Sequence, residues 1–89
     1  MPRTPKPQLP KVKRRKLGQF RADGRWIGPG KIEIDPRLGP QREMEVLIHE
    51  FFHDRHPHWT EEKVTSEALL AQQFLWEHGY RKVIGGGEG

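Results

Sequence analysis

The spacing of apolar positions divides this chain of 89 residues into a region of strands followed by a region of helices. Residues 31–35 alternate polar and apolar side chains, which predicts a strand with one buried face. Upstream, residues 17–21 and 26–27 flank an Asp-Gly turn, and we expect them to pair as a hairpin. The first part of the chain therefore predicts a small antiparallel sheet of two or three strands.

From residue 40 onwards, the apolar positions recur at the spacing of a helix. Pro40 suits the first helical turn and Pro57 bars continuation, so we expect a helix over about residues 40–54. Its apolar surface consists of Met44, Leu47, Ile48, Phe51 and Phe52. A neighbouring strip of the same helix carries Val46, His49, Glu50 and His53.

A second helix is predicted from Thr60 to about His78. Thr60 is a good N-cap, acids follow it in the first turn, and Gly79 suits the C-terminal stop. About five residues join the two helices, so they should pack as an antiparallel hairpin. Together these elements predict a single small α+β domain over residues 17–84, with the sheet first and the helix hairpin after it.

The ends of the chain differ in composition from this domain. Residues 1–16 hold seven basic side chains, four prolines and no acid, whereas the rest holds nine basic and twelve acidic residues. So few apolar groups cannot offset the entropy of ordering, which predicts a disordered tail. Its charge suits nucleic acid or another acidic surface, or simply solubility. The glycine-rich residues 85–89 are expected to be a flexible end.

Composition also limits the kinds of site and location. The chain has no cysteine, so it has no disulfide and no thiolate metal ligand. No apolar stretch is long enough to span a bilayer, and the basic N-terminus lacks the apolar core of a secretory signal. We therefore expect no membrane partner and a cytoplasmic protein, with any metal held by histidine and carboxylate side chains.

The residues 49–53 have the pattern His-Glu-x-x-His. Positions four apart share one face of a helix, so His49 and His53 can reach a single metal ion. Glu50 points to the same pocket, where it can take a proton from a metal-bound water. This pattern predicts one zinc ion, with Glu50 as the general base.

A catalytic zinc site usually has three protein ligands. In the predicted hairpin His53 lies opposite Glu61, and Glu61 lies on the inward stripe of the second helix, so we choose it as third ligand. The alternatives are Glu67 on the other flank of the stripe, Glu62, and two histidines of the connecting loop. Those histidines are His56 and His58.

Three stretches, residues 32–35, 47–53 and 61–65, together resemble the gluzincin clan of zinc metallopeptidases. The resemblance covers about residues 31–80 and is greatest for the minigluzincins and the core of ImmA/IrrE-type peptidases. It implies a minimal zincin-like fold and a third ligand at Glu61. Thr65 stands where the clan usually has Asp or Asn, and the link from His53 to Glu61 is shorter than in many gluzincins. The SprT-like group, with a later histidine ligand, is an alternative.

The resemblance implies hydrolysis of peptide bonds in a protein or peptide substrate. In gluzincins a strand before the active helix pairs with extended substrate, and residues 31–35 are the candidate here. His56, His58 and Tyr80 are candidate donors to the oxyanion. One alternative is a non-catalytic, zinc-stabilised module whose basic tail binds nucleic acid. The other is a small interaction protein without metal.

Overall fold

The computed structural model describes residues 9–18 and 22–83. A three-stranded sheet is followed by two helices, which confirms the predicted α+β class and order of elements. The strands are β1 (Lys11–Arg14), β2 (Gly24–Gly28) and β3 (Lys31–Ile34). The helices are α1 (Pro40–Arg55) and α2 (Glu61–Glu77).

The sheet has the order β1-β3-β2, so β3 is the central strand. β2 and β3 form an antiparallel hairpin with a bulge between Trp26 and Gly28, whereas the predicted hairpin joined residues 17–21 to residues 26–27. β1 pairs with β3 in parallel, so the prediction of a wholly antiparallel sheet is wrong. The predicted strand at residues 17–21 is also wrong where it is described, because Leu17 and Gly18 lie outside any strand. Residues 19–21 lie outside the described part.

Strand β1 falls within the segment that was predicted to be disordered, so that prediction is wrong for Lys11–Arg14. The strand is stabilised by backbone pairing, which composition does not reveal: the amide of Lys11 donates to Gly30 and that of Arg15 to Ile34. In addition, the Arg14 guanidinium lies 3.0 Å from the buried Glu43 carboxylate. Residues 1–8 and 85–89, also predicted to be disordered or flexible, lie outside the described residues.

The core lies between the sheet and α1. Ile32 and Ile34 of the central strand are buried against Val46 of α1, and Leu38 and Leu47 pack around them. The face of α1 that carries Val46 is therefore the deeply buried one, whereas the predicted apolar surface around Leu47 is only half buried. The reason is that α1 packs on strands β2 and β3 through the former face.

The helix boundaries follow the capping residues. Pro40 lies in the first turn of α1, and the Thr60 hydroxyl accepts a hydrogen bond from the amide of Lys63 at the start of α2. At the other end of α2, Gly79 has φ +86°, and the amides after the helix donate back to its last carbonyls. Both predicted helices are confirmed to within one residue.

The two helices form the predicted hairpin. Among the described elements, α2 contacts α1 and no strand. Val64 and Ala68 of its predicted stripe are fully buried. None of the described helices combines the length and apolar character that a bilayer-spanning helix requires.

Candidate metal centre

Helix α1 places the two histidines of the motif side by side. His49 and His53 are four residues apart, so their rings lie on one face with centroids 4.9 Å apart. Both side chains are mostly buried, with 19% and 24% of their surface exposed. Their Nε2 atoms point toward the start of α2.

Glu61 meets both histidines from the first turn of α2. Its Oε1 lies 2.7 Å from Nε2 of His53, and its Oε2 lies 3.1 Å from Nε2 of His49. Thr60 fixes the start of the helix immediately before it. The hairpin and the cap thus bring together the three residues that the sequence predicts as ligands.

The donor atoms of this group suit a metal ion. One ligand atom from each of His49, His53 and Glu61 lies within 4.8 Å of the others. For a tetrahedral ion with bonds of about 2.0–2.2 Å, ligand atoms are about 3.3–3.6 Å apart. The separations from Glu61, 2.7 and 3.1 Å, are somewhat shorter than this, and the 4.8 Å limit of the whole group is longer. Two imidazoles and a carboxylate are also a donor set that zinc accepts. The group can therefore hold a metal ion.

The local electrostatics favour the metal-binding form of His49. Burial lowers its pKa, and this effect outweighs the neighbouring Glu61 carboxylate, which raises it. A lower pKa favours the neutral imidazole, which has the lone pair that a metal requires.

Glu50 lies beside the group and is 7% exposed. Burial raises the pKa of its carboxyl group, since the charged form loses hydration; His53 opposes this shift and Glu61 adds to it. A raised pKa makes the carboxylate a stronger base. Glu50 also lines both clefts that open onto the histidines.

One of these clefts, of about 300 Å³, lies between α1 and the segment that leads into β2. Arg42 lines it and pairs with Asp23 at 2.8 Å and with Glu45 at 3.4 Å. Gly24 lines it too, where β2 begins. The cleft therefore has both a basic and an acidic wall beside the candidate ligands.

The second cleft, of about 330 Å³, follows β2 past His49 and His53. Arg25 and Trp26 form its strand side. Asp54, next to His53 in sequence, accepts hydrogen bonds from the Trp26 indole at 3.0 Å and from the amide of Gly30. This link holds the β2–β3 hairpin against α1 beside the candidate ligands.

The position of the second cleft shows that the prediction of residues 31–35 as the substrate-binding strand is wrong. Residues 31–35 include the central strand β3, whose two edges are occupied by β1 and β2. It is β2 that borders the histidines, and within the described residues its outer edge pairs with no strand. Sequence alternation identifies a strand but not its position in the sheet, which depends on how β1 pairs.

The other ligand candidates do not join the group among the described residues. His56 stacks on Trp59 with ring centroids 4.0 Å apart, and His58 is exposed in the same loop. Glu62 is exposed and Glu67 is half buried on α2. Thr65 has its hydroxyl 3.5 Å from Glu61. Tyr80, a candidate oxyanion donor, is 62% exposed and lines neither cleft.

Sequence reasoning missed three residues of the site: Gly24, Arg42 and Asp54. Arg42 precedes His49 by seven residues, a spacing that places both on one helix face, so periodicity was a usable signal. Asp54 follows a ligand candidate directly, but its hydrogen bonds to the hairpin depend on tertiary packing and have no local signal. The same holds for the contact of Gly24 with α1.

Comparison of the chain with protein-family models, with curated proteins and with solved structures gives no match.

Proposed function

We propose that this chain is a zinc-dependent peptidase that hydrolyses peptide bonds in an extended protein or peptide segment. The observation that carries the proposal is the convergence of His49, His53 and Glu61 beside two clefts that Glu50 also lines. A metal site that served structure alone would not require a buried carboxylate next to the ligands. The gluzincin-like spacing of the motif supports the same function.

In this proposal His49, His53 and Glu61 hold the zinc ion. Zinc in such a site lowers the pKa of water toward ~7 and polarises a carbonyl group. The three side chains come from two helices, so the hairpin must be intact for the site to form.

Glu50 acts as the general base. Its carboxylate accepts the proton of the attacking water and then donates it to the leaving amine. The side chain is suited to this role because it is buried beside the ligands and takes no part in the hydrogen-bonded group that they form. Arg42 is the basic side chain at the wall of the cleft and is our candidate for orienting a substrate carbonyl or carboxylate.

The outer edge of β2 is the proposed docking site for the substrate backbone. An extended peptide can add to a free strand edge through main-chain hydrogen bonds. Trp26 would then contact substrate side chains, and Asp54 keeps Trp26 in place. A site of this kind favours unfolded or loop segments over folded domains.

A Glu50→Gln variant tests the proposal. The amide keeps the size of the side chain but is no base, so we expect zinc binding as in the wild type and a loss of peptidase activity of about 10²–10⁴-fold. Activity is measured on an unfolded protein such as casein, and zinc by mass spectrometry. Glu62→Gln, an exposed acid of α2, is the control and should keep full activity.

The packing of α2 also favours a second role, in which zinc stabilises the fold without catalysis. Among the described elements α2 contacts α1 and no strand, so a metal that joins Glu61 to two histidines would hold the hairpin together. Zinc binding with no zinc-dependent hydrolysis in wild type would favour this role over the peptidase.

A further inference from the structure

The two faces of the sheet differ in what covers them. On one face, Val12 and Ile32 line an apolar groove together with Leu47 and Phe51 of α1. Side chains alternate between the faces of a strand, so residues 11, 13, 31 and 33 belong to the opposite face. No described helix covers that face, because α1 packs on the first one and α2 contacts only α1.

Cationic side chains dominate this open face. Arg15 and Arg25 belong to it because both pair with the carboxylate of Glu33, at 3.4 Å and 2.8 Å. Glu33 is 4% exposed, so its charge is buried under the two guanidinium groups. The described cations of the face are Lys11, Lys13, Arg15, Arg25 and Lys31.

The lysines form a row and not a single pocket. Lys11 and Lys13 are two residues apart on β1, which separates them by about 6.6 Å along the strand. Lys31 is the register partner of Lys11 on the adjacent strand, about 4.8 Å away. All three are exposed. A row of this kind follows a linear polyanion better than it encloses one small anion.

We propose that the open face of the sheet binds the phosphate backbone of a nucleic acid, without reading its bases. The described tryptophans lie elsewhere: Trp26 bonds to Asp54 of α1, and Trp59 and Trp76 belong to the helical half. Stacking of bases, on which single-strand binders depend, therefore has no platform on the described part of this face. The contact is electrostatic, which favours duplex backbone and makes the affinity depend on salt.

This surface is separate from the proposed peptidase site, which lies on the α1 side of β2. The test uses the full-length chain and a fluorescent DNA duplex of about 20 base pairs with arbitrary sequence. Binding is measured by anisotropy across a salt series. The test variant carries Lys13→Gln and Lys31→Gln together; the control carries Lys63→Gln and Arg81→Gln, which remove the same charge from the helical half.

Each phosphate contact contributes about 0.9 to the slope of log K against log salt. We expect the test variant to lower that slope by about 2 and to weaken binding at about 50 mM salt by about tenfold or more. The control should bind as the wild type does, and a change of duplex sequence should have little effect. Circular dichroism checks that both variants are folded.

Three results would overturn the proposal. The first is equal weakening in the test and control variants, which would reduce the effect to net charge. The second is wild-type affinity in the folded test variant. The third is binding to vesicles of phosphatidylserine and phosphatidylcholine without binding to the duplex, which would assign the face to anionic membranes.

Discussion

Gly24 allows β2 to approach α1 beside the candidate metal centre. A Cβ atom at this position would overlap Cγ1 of Val46, and it would lie 3.2 Å from the carbonyl oxygen of Glu33 and 3.5 Å from Cγ of Glu50. Val46 belongs to the core, Glu33 belongs to the central strand β3, and Glu50 is the proposed base. The absence of a side chain at Gly24 therefore allows the close approach of β2 to α1.

We expect Gly24→Ala to lower the free energy of unfolding by about 1–3 kcal/mol, as overpacking does, and to displace Glu50. Urea denaturation measures the first effect. Gly18→Ala is the control, since a Cβ there would meet only the side-chain end of Arg37, at 3.1 Å, and no core atom. Equal stability of the two variants would contradict the close approach at Gly24.

Asp35 links the segment after β1 to the end of β3. Its carboxylate accepts hydrogen bonds from the amide of Leu17 at 2.8 Å and from the Arg37 side chain at 2.7 and 2.9 Å. These bonds, the Arg37 side chain first, hold the pKa of Asp35 well below its usual range. The folded chain therefore stabilises the ionised form of Asp35 over its protonated form.

Because the pKa of Asp35 is lower in the folded chain than in the unfolded chain, ionised Asp35 stabilises the fold at pH values above its unfolded-state pKa of about 3.9. This stabilisation is lost as the pH falls below that value. We expect Asp35→Asn to be less stable than wild type at neutral pH and the difference to shrink below about pH 4. Urea midpoints across pH 2–7, a range of about five units, provide the measurement. A constant difference at all pH values would contradict this role.

At the residue scale, helix geometry ranks Glu61 first among the candidate third ligands, because its position depends on a short loop and on two regular helices. Arg14 and Glu43 could not be paired in this way. They are far apart in sequence, and their contact depends on the parallel addition of β1 to the sheet. Prediction therefore succeeds where a contact is set by local geometry.

The elements show the same division. Both helices could be predicted closely because Pro40, Thr60 and Gly79 mark their ends in the sequence itself. Strand β1 could not be predicted from the sequence, because its four residues are all exposed and the residues that stabilise it belong to β3 and α1. The edge of the described sheet that pairs with no strand is set by where β1 adds, so sequence patterns could not identify it either.

Thr60 couples the start of α2 to the candidate metal centre. The Thr60 hydroxyl accepts a hydrogen bond from the amide of Lys63 at 3.1 Å, and Thr60 directly precedes Glu61 in the sequence. We expect Thr60→Ala to cost about 0.5–2 kcal/mol of unfolding free energy and to weaken metal binding, since Glu61 lies in the turn that frays. Thermal unfolding and zinc titration measure the two effects.

Ser66→Ala on the exposed side of the same helix is the matched control for this prediction. Alanine favours the helix interior, so stability should be unchanged or slightly higher. A Thr60→Ala variant that kept full zinc affinity would show that the cap is not needed to position Glu61.

At the scale of the whole molecule, two functions are proposed for two sides of one small sheet. The helical side carries the candidate metal centre and its clefts, and the open face carries a row of cations. The core between them is small, with Ile32, Ile34 and Val46 at its centre. A metal that binds only the folded chain would add to its stability by mass action, by about 2.7 kcal/mol at a hundredfold excess over Kd.

The central claim is that His49, His53 and Glu61 form one zinc site. Native mass spectrometry of the untagged chain, beside Glu61→Gln and the control Glu67→Gln, tests it most directly. We predict one zinc per chain in the wild type and the control, and loss or strong weakening in Glu61→Gln. A wild-type chain that takes up no zinc from excess, or a Glu61→Gln variant that binds it equally well, would contradict the account.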